Sequence, residues 1–78
     1  MKFTKIVNTG IRRAKLDDGT VYAIIGQVRE LLANDLIYVD NTTGNEDKWI
    51  GIEDNGNVVL EFNTLEEAKD YYRKLRRN

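Results

Sequence analysis

The chain contains no cysteine, histidine, serine or proline. Without cysteine there is no disulfide and no thiolate nucleophile, and without cysteine or histidine the usual zinc ligands are gone. Acid–base catalysis near neutral pH most often relies on an imidazole, and none is available. Nucleophilic catalysis would have to use threonine, lysine, tyrosine or a carboxylate, with no imidazole base beside it. No apolar run approaches the roughly 20 residues a membrane span needs. The start, MKFTKIVNTG, is basic but has no continuous apolar stretch, so no signal peptide is expected. These absences point to a soluble, cytoplasmic protein that is not an enzyme and uses no cofactor or metal.

The 78 residues suffice for one small domain spanning 1–78, and 41% apolar residues suit a folded chain. The net charge of −1 conceals a pattern. Residues 1–16 hold Lys2, Lys5, Arg12, Arg13 and Lys15 and no acid. Residues 17–67 hold twelve acids against Arg29 and Lys48. Residues 68–78 hold Lys69, Arg73, Lys74, Arg76 and Arg77 against Asp70. Basic ends around an acidic middle bear on partners and association rather than on fold.

The last element is the clearest. In FNTLEEAKDYYRKLRRN, Asn63 or Thr64 can cap a helix, with Glu66 or Glu67 closing a capping box. Leu65, Ala68, Tyr72 and Leu75 recur at helical spacing, which predicts a helix over about 64–76. Upstream, Asn55-Gly56 between two apolar runs is a hairpin signal, because a type I′ turn needs positive φ at both central residues. A two-residue loop there sets Ile52 opposite Val59, Gly51 opposite Leu60, and Trp49 opposite Phe62. One face of the hairpin then carries Trp49, Val58, Leu60 and Phe62, expected to meet the C-terminal helix. The other carries Ile50, Ile52 and Val59.

LIYVD (36–40) reads as a further strand followed by a turn in NTTGNED, and KFTKIV as an N-terminal strand. Two readings of 17–34 stand open. Val21, Ile24, Ile25, Val28, Leu31 and Leu32 fall on one helical face, but DDG is a hairpin turn signal and TVYAII is β-prone. Gly26 weakens a helix interior by about 1 kcal/mol, which favours a helix covering at least 27–34. The expected fold is α+β: a small antiparallel sheet of three to four strands packed by a C-terminal helix, with a second helix around 27–34.

Site chemistry is sparse. The acidic pairs Asp17/Asp18, Glu46/Asp47, Glu53/Asp54 and Glu66/Glu67 sit at predicted turns or in a helix's first turn, where solvation and the helix dipole account for them. DNTTGNEDKWIG fails as a calcium loop, since Gly44 falls where a ligand belongs and Asn45 where the glycine belongs.

Two candidate surfaces remain. Ile50, Ile52 and Val59 form a candidate protein interface if nothing covers them; if the helix near 27–34 does, Val28, Leu31 and Leu32 supply the cover. Lys2, Lys5, Arg12, Arg13, Lys15, Arg73, Lys74, Arg76 and Arg77 form a candidate basic patch if the two ends of the chain meet. In the last helix the same cations also suit the dipole and pair with Asp70. The expected function is binding of another protein, in the manner of the small inhibitors of host proteins common among phage and mobile-element products. Nucleic-acid binding by the basic ends is the alternative, and a homodimer stays open.

Overall fold

The computed structural model of the protein describes residues 1–37, 46–54 and 58–75. Five strands form one antiparallel sheet in chain order: β1 (Lys2–Lys5), β2 (Arg12–Lys15), β3 (Val21–Gln27), β4 (Trp49–Glu53) and β5 (Val59–Phe62). Helix α1 (Val28–Ala33) follows β3 directly, and α2 (Leu65–Leu75) follows β5. The architecture is the expected α+β sheet packed by a C-terminal helix. The sheet is wider than expected because β3 comes from a stretch whose periodicity admitted a helix, and β2 from one that carried no strand signal. Residues 17–34 are thus a hairpin arm followed by a short helix. Of LIYVD, Leu36 and Ile37 lie outside any strand, and 38–40 lie outside the described residues, as do most of NTTGNED, the Asn55-Gly56 turn and Arg76 and Arg77.

Local chemistry fixes each connection. Between β2 and β3, Gly19 takes φ 89° and the Asp18 carboxylate accepts the Thr20 amide at 2.9 Å. That hydrogen bond holds the Asp18 carboxyl below its ordinary pKa. Between β1 and β2, the Thr9 hydroxyl donates to the Ile6 carbonyl and accepts the Ile11 amide. The Gly10 amide donates to both oxygens of Glu30, at 3.0 and 2.8 Å, tying this loop to α1. Helix α1 closes with Asp35 at φ 58°, the Leu36 amide on the Leu31 carbonyl and the Asp35 amide on the Leu32 carbonyl, a Schellman ending. Helix α2 opens as expected: Thr64 Oγ1 accepts the Glu67 amide at 3.1 Å, while the Glu67 carboxylate accepts the Asn63 amide.

Strand alternation divides the core into two layers. On one face, α2 sets Ala68 and Tyr72 against Ala14, Ala23 and Ile25, with Phe3, Tyr22, Trp49, Phe62 and Leu65 around them. On the other, α1 sets Val28 and Leu31 against Ile11, Ile37 and Ile50, with Ile24, Leu32 and Ile52 at the margin. The β4–β5 register is the expected one, Trp49 with Phe62, Gly51 with Leu60 and Ile52 with Val59. Leu60 is only half-buried, and Leu75 is 43% exposed at the end of α2. Between β2 and β3 the register shifts: Ala14 pairs with Ala23, but Lys15 pairs with Val21. Tyr22 is therefore the extra residue of a bulge, which turns it onto the α2 face, edge-on to Tyr72 at 6.1 Å between ring centres.

Candidate functional site

The sheet sorts charge by strand. Strands β1 and β2 carry Lys2, Lys5, Arg12, Arg13 and Lys15 and no acid; β3 carries no charge; β4 carries Glu53 and β5 carries Glu61. Glu46 and Asp47 precede β4, Asp54 follows it, and Glu66 and Glu67 open α2 after β5. One edge of the sheet is basic and the opposite side acidic. Sequence alone showed basic ends and an acidic middle, and the meander turns that linear order into a spatial one.

Strand β1 and helix α2 meet, but the sheet divides the cations of the N-terminal strands between its faces. The register pairs Lys2 with Lys15, Phe3 with Ala14, Thr4 with Arg13, and Lys5 with Arg12. Phe3 and Ala14 lie on the α2 face, so Lys5 and Arg12 do too. There Lys69 Nζ stands 5.9 Å and the Arg73 guanidinium 5.3 Å from the centre of the Phe3 ring, an arrangement in which the ring face attracts cations. Lys2, Arg13 and Lys15 project from the opposite face, at the end that α1 leaves open. Lys74 is exposed on α2, and Arg76 and Arg77 lie outside the described residues.

Several of these cations have no acid beside them. Arg73 pairs with Asp70 at 3.2 Å, and Arg12 donates to the Gly10 carbonyl. Away from this edge, Arg29 pairs with Glu46 and Asp47. Among the described residues, no ion pair or side-chain hydrogen bond involves Lys2, Lys5, Arg13 or Lys15. Their charge faces solvent, where it raises the local concentration of anionic partners.

The apolar candidates fare differently. Ile50 is buried beneath α1 at 3% exposure, Ile52 is half-buried beside it, and Val59 is 44% exposed. Helix α1 does cover the first two, through the Val28–Leu31–Leu32 side that periodicity singled out. The three do not form one exposed surface.

Two buried side-chain oxygens among the described residues have no hydrogen-bond partner, Thr4 Oγ1 and the Tyr72 hydroxyl. Burial pushes the Tyr72 pKa up to about 12, with the nearby Glu53 charge adding to the effect. The Tyr22 hydroxyl reaches Glu53 at 3.4 Å. Neither unpartnered hydroxyl was evident in the sequence; only the strand pairing and the helix position seal them. No group of three or more carboxylates among the described residues is placed to hold a metal ion. Among those residues, no helix is long and apolar enough to cross a membrane.

Comparison with protein families, curated proteins and solved structures finds no match to this chain.

Proposed function

We propose that this chain is a non-enzymatic protein-binding module whose β1–β2 edge docks on an acidic surface of another protein. The observation that carries this reading is the segregation of charge across the sheet, with Lys2, Lys5, Arg13 and Lys15 free of ion pairs among the described residues at one edge. Opposed potentials steer association and fix orientation. Among the described residues β1 also ends the sheet, so one side of its backbone is open to pairing with an extended segment of a partner. A nucleic acid fits less well. Phe3, the aromatic ring of the basic edge, already sits beneath Lys69 and Arg73, and a base would need a free ring to stack on. The acidic side of the molecule would also repel an extended polyanion. Within this reading, an inhibitor of a host protein of the kind phages and mobile elements encode suits the chain's size and sparse site chemistry.

The test is affinity capture from a lysate, with and without nuclease, comparing wild type with Arg13→Glu/Lys15→Glu. The reading expects a protein captured regardless of nuclease, lost in the charge-reversed variant, with an association rate that falls as salt rises. Capture that disappears on nuclease treatment would favour nucleic acid instead.

A further inference from the structure

The α1 side of the basic edge holds a hollow of about 470 Å³ lined by Lys2, Thr4, Lys15, Leu16, Asp17 and Gly19. Three observations converge on it. Lys2 and Lys15 are direct cross-strand partners, and like charges placed opposite each other destabilise a sheet pair. Among the described residues neither lysine has an ion pair to offset this, even though Asp17 lines the same hollow. Thr4 lies on this face, next to Lys2 along β1 and opposite Arg13, and its hydroxyl oxygen is buried with no hydrogen-bond partner.

We infer that this hollow seats a single oxyanion, the carboxylate or phosphorylated side chain of the docked protein. An oxyanion between Lys2 and Lys15 converts their mutual repulsion into two charge-assisted contacts. The Thr4 hydroxyl, turned toward it by rotation about its Cα–Cβ bond, donates the hydrogen bond it otherwise lacks. Arg13, opposite Thr4 in the register, stands at the rim as a further cation. The exposed Asp17 carboxylate sets a limit: it repels a second anionic group, so the hollow selects one isolated oxyanion rather than a chain of phosphates. This inference rests on the protein-docking reading and names the anchor within it.

Inorganic phosphate and acetate serve as probes, titrated into the labelled protein while its backbone amide resonances are followed. The expected result is a saturable shift centred on Lys2, Thr4, Lys15 and Gly19. Thr4→Val should weaken phosphate binding about tenfold, the worth of one hydrogen bond to a charged group, while Thr4→Ser restores it. Lys15→Gln should weaken it by a similar factor, and Arg29→Gln, away from this edge, should leave it unchanged. Phosphate bound much more tightly than acetate points to a phosphorylated side chain; equal binding points to a carboxylate. Shifts spread evenly over every cation, or Thr4→Val binding like wild type, would overturn the inference. Capture of the protein partner undiminished in Lys15→Gln and Thr4→Val would also overturn it while leaving the docking reading intact. Phosphate held at the hollow with no protein captured would remove the docking reading and leave the oxyanion seat.

Discussion

Tyr72 lies directly on the backbone of Gly51: a Cβ at position 51 would collide with the Tyr72 hydroxyl and stand 2.9 Å from two carbons of its ring. Glycine in the middle of β4 is what lets α2 approach the sheet this closely. Tyr72 is fully buried, so the collision has nowhere to relax. Gly51→Ala should therefore cost about 1–3 kcal/mol, as overpacked cores do. Tyr72→Phe should be neutral or stabilising, because it removes a buried hydroxyl with no partner. The double variant should recover part of the Gly51→Ala loss. Urea unfolding of the four proteins measures all of this; a loss below about 0.5 kcal/mol for Gly51→Ala would contradict the close contact.

The same hydroxyl gives the fold an alkaline sensitivity. In the unfolded chain tyrosine ionises near its ordinary pKa of 10, whereas in the fold Tyr72 holds its proton to about 12. A raised folded pKa means that stability is fully present below pH 10 and is lost as pH rises from 10 towards 12. The slope from one such group is about 1.4 kcal/mol per pH unit. The informative quantity is the difference between wild type and Tyr72→Phe, in which every group common to the two proteins cancels. That difference should be flat below pH 9.5 and should move in favour of Tyr72→Phe above pH 10 by about that slope. Identical alkaline profiles for the two proteins would place the Tyr72 hydroxyl in contact with water.

Much of this architecture was legible, and the rest was hidden for identifiable reasons. The β4–β5 register could be read because Asn55-Gly56, taken as a two-residue turn, leaves one way to pair the flanking strands, and the observed pairs match it. The start of α2 could be read because Thr64 and Glu67 satisfy its free amides locally. Strand β2, RRAK, gave no signal: it lies next to the sheet edge, and only Ala14 is fully buried. Residues 21–27 were ambiguous because β3 is covered on both faces, and a strand with two apolar sides does not alternate. Gly26, which counted against a helix, sits in β3 where Ile11 and Leu31 press to within 3.1 Å of where its Cβ would be. As for the basic patch, the meeting of the chain ends could only be posed as a condition. The Lys2–Lys15 pairing and the sealed Thr4 hydroxyl depend on a hairpin whose second strand the sequence did not reveal.

Ile50 and Val59 show how far one face can differ along its length. Both project from the α1 side of the sheet, yet Ile50 lies under Leu31 and Val28 while Val59 lies beyond the six-residue helix. Ile50→Ala should cost about 2–5 kcal/mol by opening a cavity in a layer that cannot collapse around it. Val59→Lys should stay within about 0.5 kcal/mol of wild type. Thermal or urea unfolding decides; equal costs at the two positions would mean that α1 reaches further along the sheet.

The Glu30 carboxylate anchors the β1–β2 loop by accepting the Gly10 amide with both oxygens. Glu30→Ala should cost about 1.5–3 kcal/mol, the range for hydrogen bonds to charged groups, since it also leaves a half-buried amide unpaired. Glu30→Gln keeps one accepting oxygen and should recover part of that. Amide exchange offers a local reading: protection at Gly10 and Ile11 should fall in Glu30→Ala while protection in β4 follows only the global change.

The cations of α2 separate stability from recognition. Arg73 stands over Phe3 and pairs with Asp70, and both partners of that ion pair are more than half exposed. Lys69 shares the same ring, and Lys74 is exposed at the end of the helix. Exposed ion pairs and surface cation–π contacts are each worth about 0.2–1 kcal/mol, so Lys69→Gln/Arg73→Gln should lower stability by about 1 kcal/mol and leave the fold intact. Lys74→Gln should change stability by no more than a few tenths, through the dipole and the Asp70 spacing. If the basic edge docks an acidic protein, all three replacements should slow association with that partner, leave dissociation nearly unchanged, and flatten the dependence of the rate on salt. Removing Phe3 provides the converse: Phe3→Leu keeps the charges but takes away the ring that holds Lys69 and Arg73, so it should alter stability with little effect on the association rate. Stopped-flow binding across a salt series distinguishes the two effects. An association rate indifferent to the α2 cations would confine recognition to β1 and β2, where Lys2, Arg13 and Lys15 face the other side of the sheet.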